Sequence, residues 1–274
     1  MITPDEFVEA ANIVFEAVSR LDFAYSTFEM ATALALYWFA RKKVNIAVLE
    51  VGIGGRWDAV NAVENVLAVF TPIEREHIMM LGGSMQTIAW NKAGIIQPNG
   101  YAISVPQQPI VEDILRSEAA LKGAALSFIK SDSLTRDICY NLMVQGIIPL
   151  LELDEDLPSI LDIHVPGRLE KIQIAGRTVL IDGAHTPTSA RHLRWKIKQQ
   201  VDNSEPVRLI IGMMRDKSAH EFLTTFNLLP RYHITLTTAP GQRAFTAQEL
   251  ASTADLQRAA VEIIPDLNQA LAQV

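Results

Sequence analysis

One cysteine, Cys139, stands in 274 residues, so no internal disulfide can form, and a reducing compartment is expected. No apolar run approaches the roughly 20 residues that span a bilayer. The first residues, MITPDEF, lack the basic-then-apolar pattern of a secretory signal. A soluble cytoplasmic chain is therefore expected, with no membrane partner. Positive charge is also scarce: 24 Lys and Arg against 31 Asp and Glu give a net charge of −7. Nucleic acid is thus not an expected partner, and an acidic substrate would need a local basic patch or a metal ion. There is no internal repeat and no low-complexity tract. A dinucleotide fingerprint is missing too. Gly52, Gly54 and Gly55 are spaced G-x-G-G rather than G-x-G-x-x-G, and no suitable acid follows a second strand. That sets aside an unrelated two-domain dehydrogenase.

What is present is a globular composition, 49% hydrophobic and 20% charged, long enough for one or two domains. The most informative stretch is 44–61, VNIAVLEVGIGGRWDAVN. Val44–Val51 is apolar and rich in β-branched residues, then breaks into glycines, which predicts a buried parallel strand entering a tight loop. Ligands of open α/β sheets bind at such carboxyl ends. Glu50 lies there and would need a cation if buried; a glutamate that simply reaches water is the alternative.

Before this stretch, residues 4–21 read as an amphipathic helix with Thr3 and Glu6 as a capping box and Pro4 at its first position. A second helix, about Thr27–Ala40, is apolar nearly all round and is expected to be buried. After it, strands are expected at Val66–Thr71 and Tyr101–Val105. Helices are expected at Ser84–Ala93, stopped by Gly94, and at Ile110–Lys122. Residues 130–165 read as a linker region with at most one helix and a boundary near Val165. A second alternation then follows: a hairpin around Gly176, helices near 187–200, 217–228 and 247–254, strands at 207–211, 233–237 and 261–264, and a last helix. The fold class is α/β, with a parallel sheet in the first part and a smaller Rossmann-like unit in the second.

Five sites lie at strand ends or in the loops after them: Glu50, Glu76-His77, Lys92, Pro166-Gly167-Arg168 and Asp182-Gly183-Ala184-His185. Each has a plain structural alternative. Glu76-His77 reads as a metal donor or a solvated pair. Lys92 in a last helical turn can just complement the helix dipole. Arg168 could clamp a phosphate. Asp182 and His185 could be a helix cap and a surface histidine.

In combination they are more specific. The segments LEVGIGGRWDAVN (49–61), His77 with Leu81-Gly82, KAGII (92–96), PGRLE (166–170) and DGAH-x-P (182–187) resemble the folylpolyglutamate synthase / dihydrofolate synthase family, within the Mur-type ligases. Looser echoes are Thr27-Phe28-Glu29, Asp216-Lys217 and 243–250. The resemblance implies a Mur-type central ATPase domain over 1–165 and a C-terminal glutamate ligase domain over 166–274. It implies ATP-dependent addition of L-glutamate to a folate or dihydropteroate carboxylate through an acyl phosphate. By resemblance Glu50 and His77 would hold Mg2+, and Lys92 would be carbamylated into a third donor. Arg168, Asp182 and His185 would reach the nucleotide, with Lys92, Asp182 and His185 as the catalytic set. Phe28 and Asp58 would meet the folate substrate.

The family's Gly-rich phosphate loop has no counterpart here: the sequence contains no Gly-Lys dipeptide. The middle segment is short, Thr186 stands where the family usually has Asn, and Glu76 where Asp is usual. The expectation is a family member lacking its front and part of its middle. Its activity would be impaired, or it would bind folate or nucleotide without turnover. An exposed sheet edge or apolar face on the first domain would then be covered by a protein partner.

Overall fold

The computed structural model describes residues 1–22, 24–130, 142–151, 165–174, 176–202, 204–226, 231–253 and 260–273; Cys139 and the expected helix ends near 228 and 254 lie outside them. The chain parts into two compact units, Met1–Ser131 and Asp132–Val274.

The first unit opens with α1 (Pro4–Val18), started by Thr3 and Glu6 in the expected capping box. Its buried residues are Ala10 and Val14, whereas Phe7 is exposed. Helix α2 (Thr27–Lys42) starts from a second capping box, Ser26 with Glu29. Ion pairs Lys42–Glu6 (2.8 Å) and Arg41–Glu9 (2.6 Å) tie the end of α2 to the start of α1. Lys42 and the Thr3 cap hold the Glu6 carboxyl down to about 2. The expectation that α2 is buried is corrected: only Thr32 is buried along it. An apolar helix buries only the faces that neighbours cover.

Strands β1 (Leu67–Phe70), β2 (Tyr101–Ser104) and β3 (Ala125–Phe128) form a parallel sheet in that order. Helices α3 (Ile78–Leu81) and α4 (Met85–Ala93) fill the first crossover, and α5 (Pro109–Lys122) the second. Phe70, Ile88, Ala89, Ile96, Val111 and Leu115 are buried between them. β3 went unpredicted because Ala-Leu-Ser-Phe has neither length nor β-branching to mark it.

The strand expected at Val44–Val51 is also corrected. The segment forms no strand, and Val44, Ile46 and Val48 are exposed, Val48 at 88%. Its composition suits a buried strand, but a strand exists only by pairing its N–H and C=O groups with a neighbour. No described segment supplies one.

In the second unit, a π-type turn (Met143–Ile147) runs into α6 (Ile148–Leu151). Strands β4 (Glu170–Ile174) and β5 (Arg177–Ile181) make the expected antiparallel hairpin, pairing Glu170 with Ile181 and turning at Gly176, whose φ is +78°. Helix α7 (Pro187–Gln200) is capped by Thr186 with Ser189, with Pro187 in its first turn. Then β6 (Val207–Ile211), α8 (Ala219–Phe226), β7 (Tyr232–Leu236), α9 (Ala247–Ser252), β8 (Ala260–Ile263) and α10 (Leu267–Ala272) follow; β6, β7 and β8 are parallel in that order. Phe222, Leu223, Phe226, Tyr232, Ile234 and Leu250 form its core, with Phe226 and Tyr232 edge-on at 5.5 Å. No described helix is long and apolar enough to cross a membrane.

Candidate functional site

In the first unit, the loop after Glu50 is folded by Asp58. One oxygen of its carboxylate accepts the N–H groups of Gly52 (3.0 Å) and Ile53 (2.9 Å), and the other accepts that of Val60 (3.0 Å). The expected substrate contact therefore has a first job inside the loop. Phe28 lies over the same loop, its ring 2.7 Å from where a β-carbon on Gly52 would stand, and is itself exposed at 43%.

This loop is seated on the carboxyl end of α4. Arg56 N–H donates to Asn91 O (2.8 Å), and Asn61 Nδ2 donates to Arg56 O (3.2 Å) and Gly94 O (3.3 Å). A β-carbon on Gly94 would come within 2.3 Å of Arg56 Cβ. Gly94 has φ −58°, so it is not the left-handed stop expected of it; its missing side chain lets loop and helix touch. Two segments quoted above, 49–61 and 92–96, are thus one packed object.

Three candidate donors lie in this unit. Glu50 is exposed. His77 is half-buried at the start of α3, with its backbone in the left-handed region (φ 50°, ψ 36°), a conformation in which His is enriched among non-glycine residues. Lys92 is half-buried in the last turn of α4; burial pushes its ammonium below the usual lysine range, against a counteracting pull from Glu76.

In the second unit, the loops 165–169 and 182–186 lock together. Asp182 accepts Leu169 N–H (2.9 Å) with one oxygen and Ala184 N–H (2.9 Å) with the other, and Gly183 N–H donates to Gly167 O (2.8 Å). Gly167 and Leu169 both have positive φ, 70° and 50°. For a bulky residue such as Leu169 that is a strained conformation, and the Asp182 hydrogen bond holds it. The Arg168 guanidinium lies 2.9 Å from where a β-carbon on Gly183 would stand. His185 Nδ1 is 2.7 Å from Gly183 O. A carbonyl only accepts, so Nδ1 carries a proton and donates to Gly183 O. Arg168, Asp182 and His185 are therefore brought together. Just before the looser echo Asp216-Lys217, Arg215 pairs with Glu249 of the 243–250 echo (2.5 Å), and Met214 bridges to Ala244 across the loops after β6 and β7. Arg215, aided by the Thr246 cap, holds the Glu249 carboxyl down to about 2.

Residues 167–274 match the family model described as "Mur ligase, glutamate ligase domain". The dihydrofolate synthase/folylpolyglutamate synthase of Mycobacterium tuberculosis is 32% identical over 237 residues, covering 70% of this chain and 48% of that protein. The chain spans about half the length of the curated relatives it matches. A structure of the M. tuberculosis folylpolyglutamate synthase with ADP matches with a TM-score of 0.84 at 26% identity, over 99% of this chain and 71% of that one. The chain belongs to the folylpolyglutamate synthase / dihydrofolate synthase family. A third relative, the bifunctional synthase of Yersinia pestis complexed with AMPPNP and Mn ion, shares the fold: TM-score 0.80, 24% identity, 96% of this chain and 69% of that one.

For a folylpolyglutamate synthase relative, the residues that sequence reading passed over are those joining its motifs. Arg56 lay inside a quoted motif, but nothing in sequence links it to Glu118, 2.7 Å away. Glu118 and Lys122 are spaced i, i+4, the signature of an ordinary solvated pair; only the fold buries Glu118.

Proposed function

We propose that this chain carries the glutamate-ligating chemistry of its family: ATP-dependent addition of L-glutamate to a folate or dihydropteroate carboxylate. In that reaction the γ-phosphoryl group of ATP passes to the substrate carboxylate, giving an acyl phosphate and ADP. The amino group of glutamate then attacks the acyl carbon, phosphate leaves, and a proton is lost from the new amide nitrogen. The observation that carries the reading is that each unit packs two family motifs into one object, 49–61 on 92–96 and 166–170 on 182–187.

Several anions meet in this reaction, so cations must neutralise them. Mg2+ is commonly held by one or two carboxylates, with water and substrate phosphates completing its shell. Glu50, with His77 and a carbamylated Lys92, fits that donor set. Carbamylation requires the neutral amine, and the burial of Lys92 favours that form. Among the described residues no group of three or more His, Cys, Asp or Glu could cage a metal unaided, so the nucleotide would share the ion. Bound there, Mg2+ would offset phosphate charge. Arg168 would offer its guanidinium to a phosphate, with Asp182 and His185 in the loop packed beside it. Phe28 would lie against the flat ring of the folate.

A second reading is favoured by the exposed Val44, Ile46 and Val48: turnover would require a further polypeptide that pairs with this segment, and alone the chain would only bind folate or nucleotide. One assay separates the two. With Mg2+, ATP, L-glutamate and a reduced folate, the first reading expects phosphate release and a product heavier by one glutamate. A folded chain that retains folate or nucleotide without forming product supports the second.

A further inference from the structure

We propose that Arg56 and Glu118 are positioning residues, which fix the loop carrying Glu50 against the helix carrying Lys92. This rests on the reading of Glu50 and Lys92 as metal donors, and adds how their spacing is set.

The Glu118 side chain is 6% exposed and that of Arg56 17%. The Arg56 guanidinium sits 2.7 Å from one oxygen of Glu118, donates to Trp90 O (3.1 Å) and stacks over the Trp90 ring at 4.0 Å. Lys122 Nζ lies 3.2 Å from the other Glu118 oxygen and donates to Gly94 O (3.2 Å) and Ile96 O. One buried carboxylate thus gathers two cations, and both bond to carbonyls in or just beyond α4, on either side of Lys92. Well-packed apolar side chains would stabilise such a site as well as buried charges do. What an apolar core lacks is direction. The planar guanidinium accepts only a few geometries, and it sits six residues from Glu50, on a loop that Asp58 cross-braces at Gly52 and Ile53.

A partner that orients metal ligands without touching the metal typically changes metal affinity by about 10–100-fold when replaced. The test is Mn2+ binding by the full chain with the non-hydrolysable nucleotide AMPPNP present, followed by water-proton relaxation in bicarbonate buffer against a protein-free Mn2+–AMPPNP blank, for the wild type, Glu50→Gln, Arg56→Lys and Glu118→Gln. Thermal unfolding is measured alongside without metal. Arg56→Lys keeps the charge and loses the fork and much of the stacking, so it serves if Glu118→Gln fails to fold. The expected result is strong loss of Mn2+ binding in Glu50→Gln and at least about a tenfold weakening in Arg56→Lys. If Glu50→Gln loses binding while folded Arg56→Lys keeps wild-type affinity, the pair only stabilises the fold, and the positioning role is overturned while the metal site stands. If the wild type binds no Mn2+, or Glu50→Gln binds as well as wild type, the donor assignment fails and this inference with it.

Discussion

The two units hold their motif loops by one device and anchor them by different ones. In each, an aspartate, Asp58 or Asp182, takes backbone N–H groups on both carboxylate oxygens. The first loop is then seated on the end of α4 and bolted to α5 through a buried ion pair, Arg56–Glu118. The second is laid against another loop, through Gly183 N–H to Gly167 O and the strained backbone at Leu169. The difference teaches where each site is vulnerable: the first to loss of a charge, the second to loss of a backbone clasp.

Glu118→Ala should break the comparison most sharply. It leaves Arg56 and Lys122 without their buried counter-charge, and removing one partner of such a pair costs about 3–5 kcal/mol. Denaturant unfolding of the full chain should show the loss. Asp182→Ala frees Leu169 N–H and Ala184 N–H in a half-buried loop, with an expected cost of about 1–3 kcal/mol, read in the same assay; a loss as large as that of Glu118→Ala would erase the distinction. Gly94→Ala pushes a methyl group into Arg56 and should cost about 1–3 kcal/mol. Its control, Gly83→Ala, meets nothing within 4 Å and should stay within about 0.5 kcal/mol.

Acid sharpens the contrast without a mutation. Burial alone would raise the Glu118 carboxyl, but Arg56 and Lys122 outweigh it and hold it below the ordinary value of 4.5. A carboxylate with a depressed folded-state value stabilises the fold at pH above its unfolded value, and that contribution is lost as pH falls through the folded one. Wild-type stability should therefore drop below about pH 4.5 by an amount that is missing in Glu118→Gln. Equal acid sensitivity in both proteins would show that other carboxylates dominate.

How much of this was legible before folding depends on which kind of signal carried it. The capping box at Thr3 and the turn at Gly176 are local, because a cap is decided by residues three apart on one chain; the Thr186 box was just as local and was passed over. Helix α7 begins and ends where its sequence predicts. The motifs were legible as text, and their residues do meet in pairs. Illegible were the pairings across distance. Val44–Val51 carries a strand's composition without a neighbour to pair with, and α2 carries a buried helix's composition while only Thr32 is buried.

The amino-acid order by itself determined the local boundaries, the alternation that makes two α/β units, and the family. Those follow from short-range sterics, hydrogen-bond supply and side-chain periodicity, which act along the chain. Only the tertiary structure decided that Glu118 is a buried counter-charge rather than a solvated one, that Gly94 serves contact rather than termination, and that Asp58 braces its own loop. Burial and proximity are properties of what comes to lie beside a residue, and 62 positions separate Arg56 from the carboxylate it pairs with.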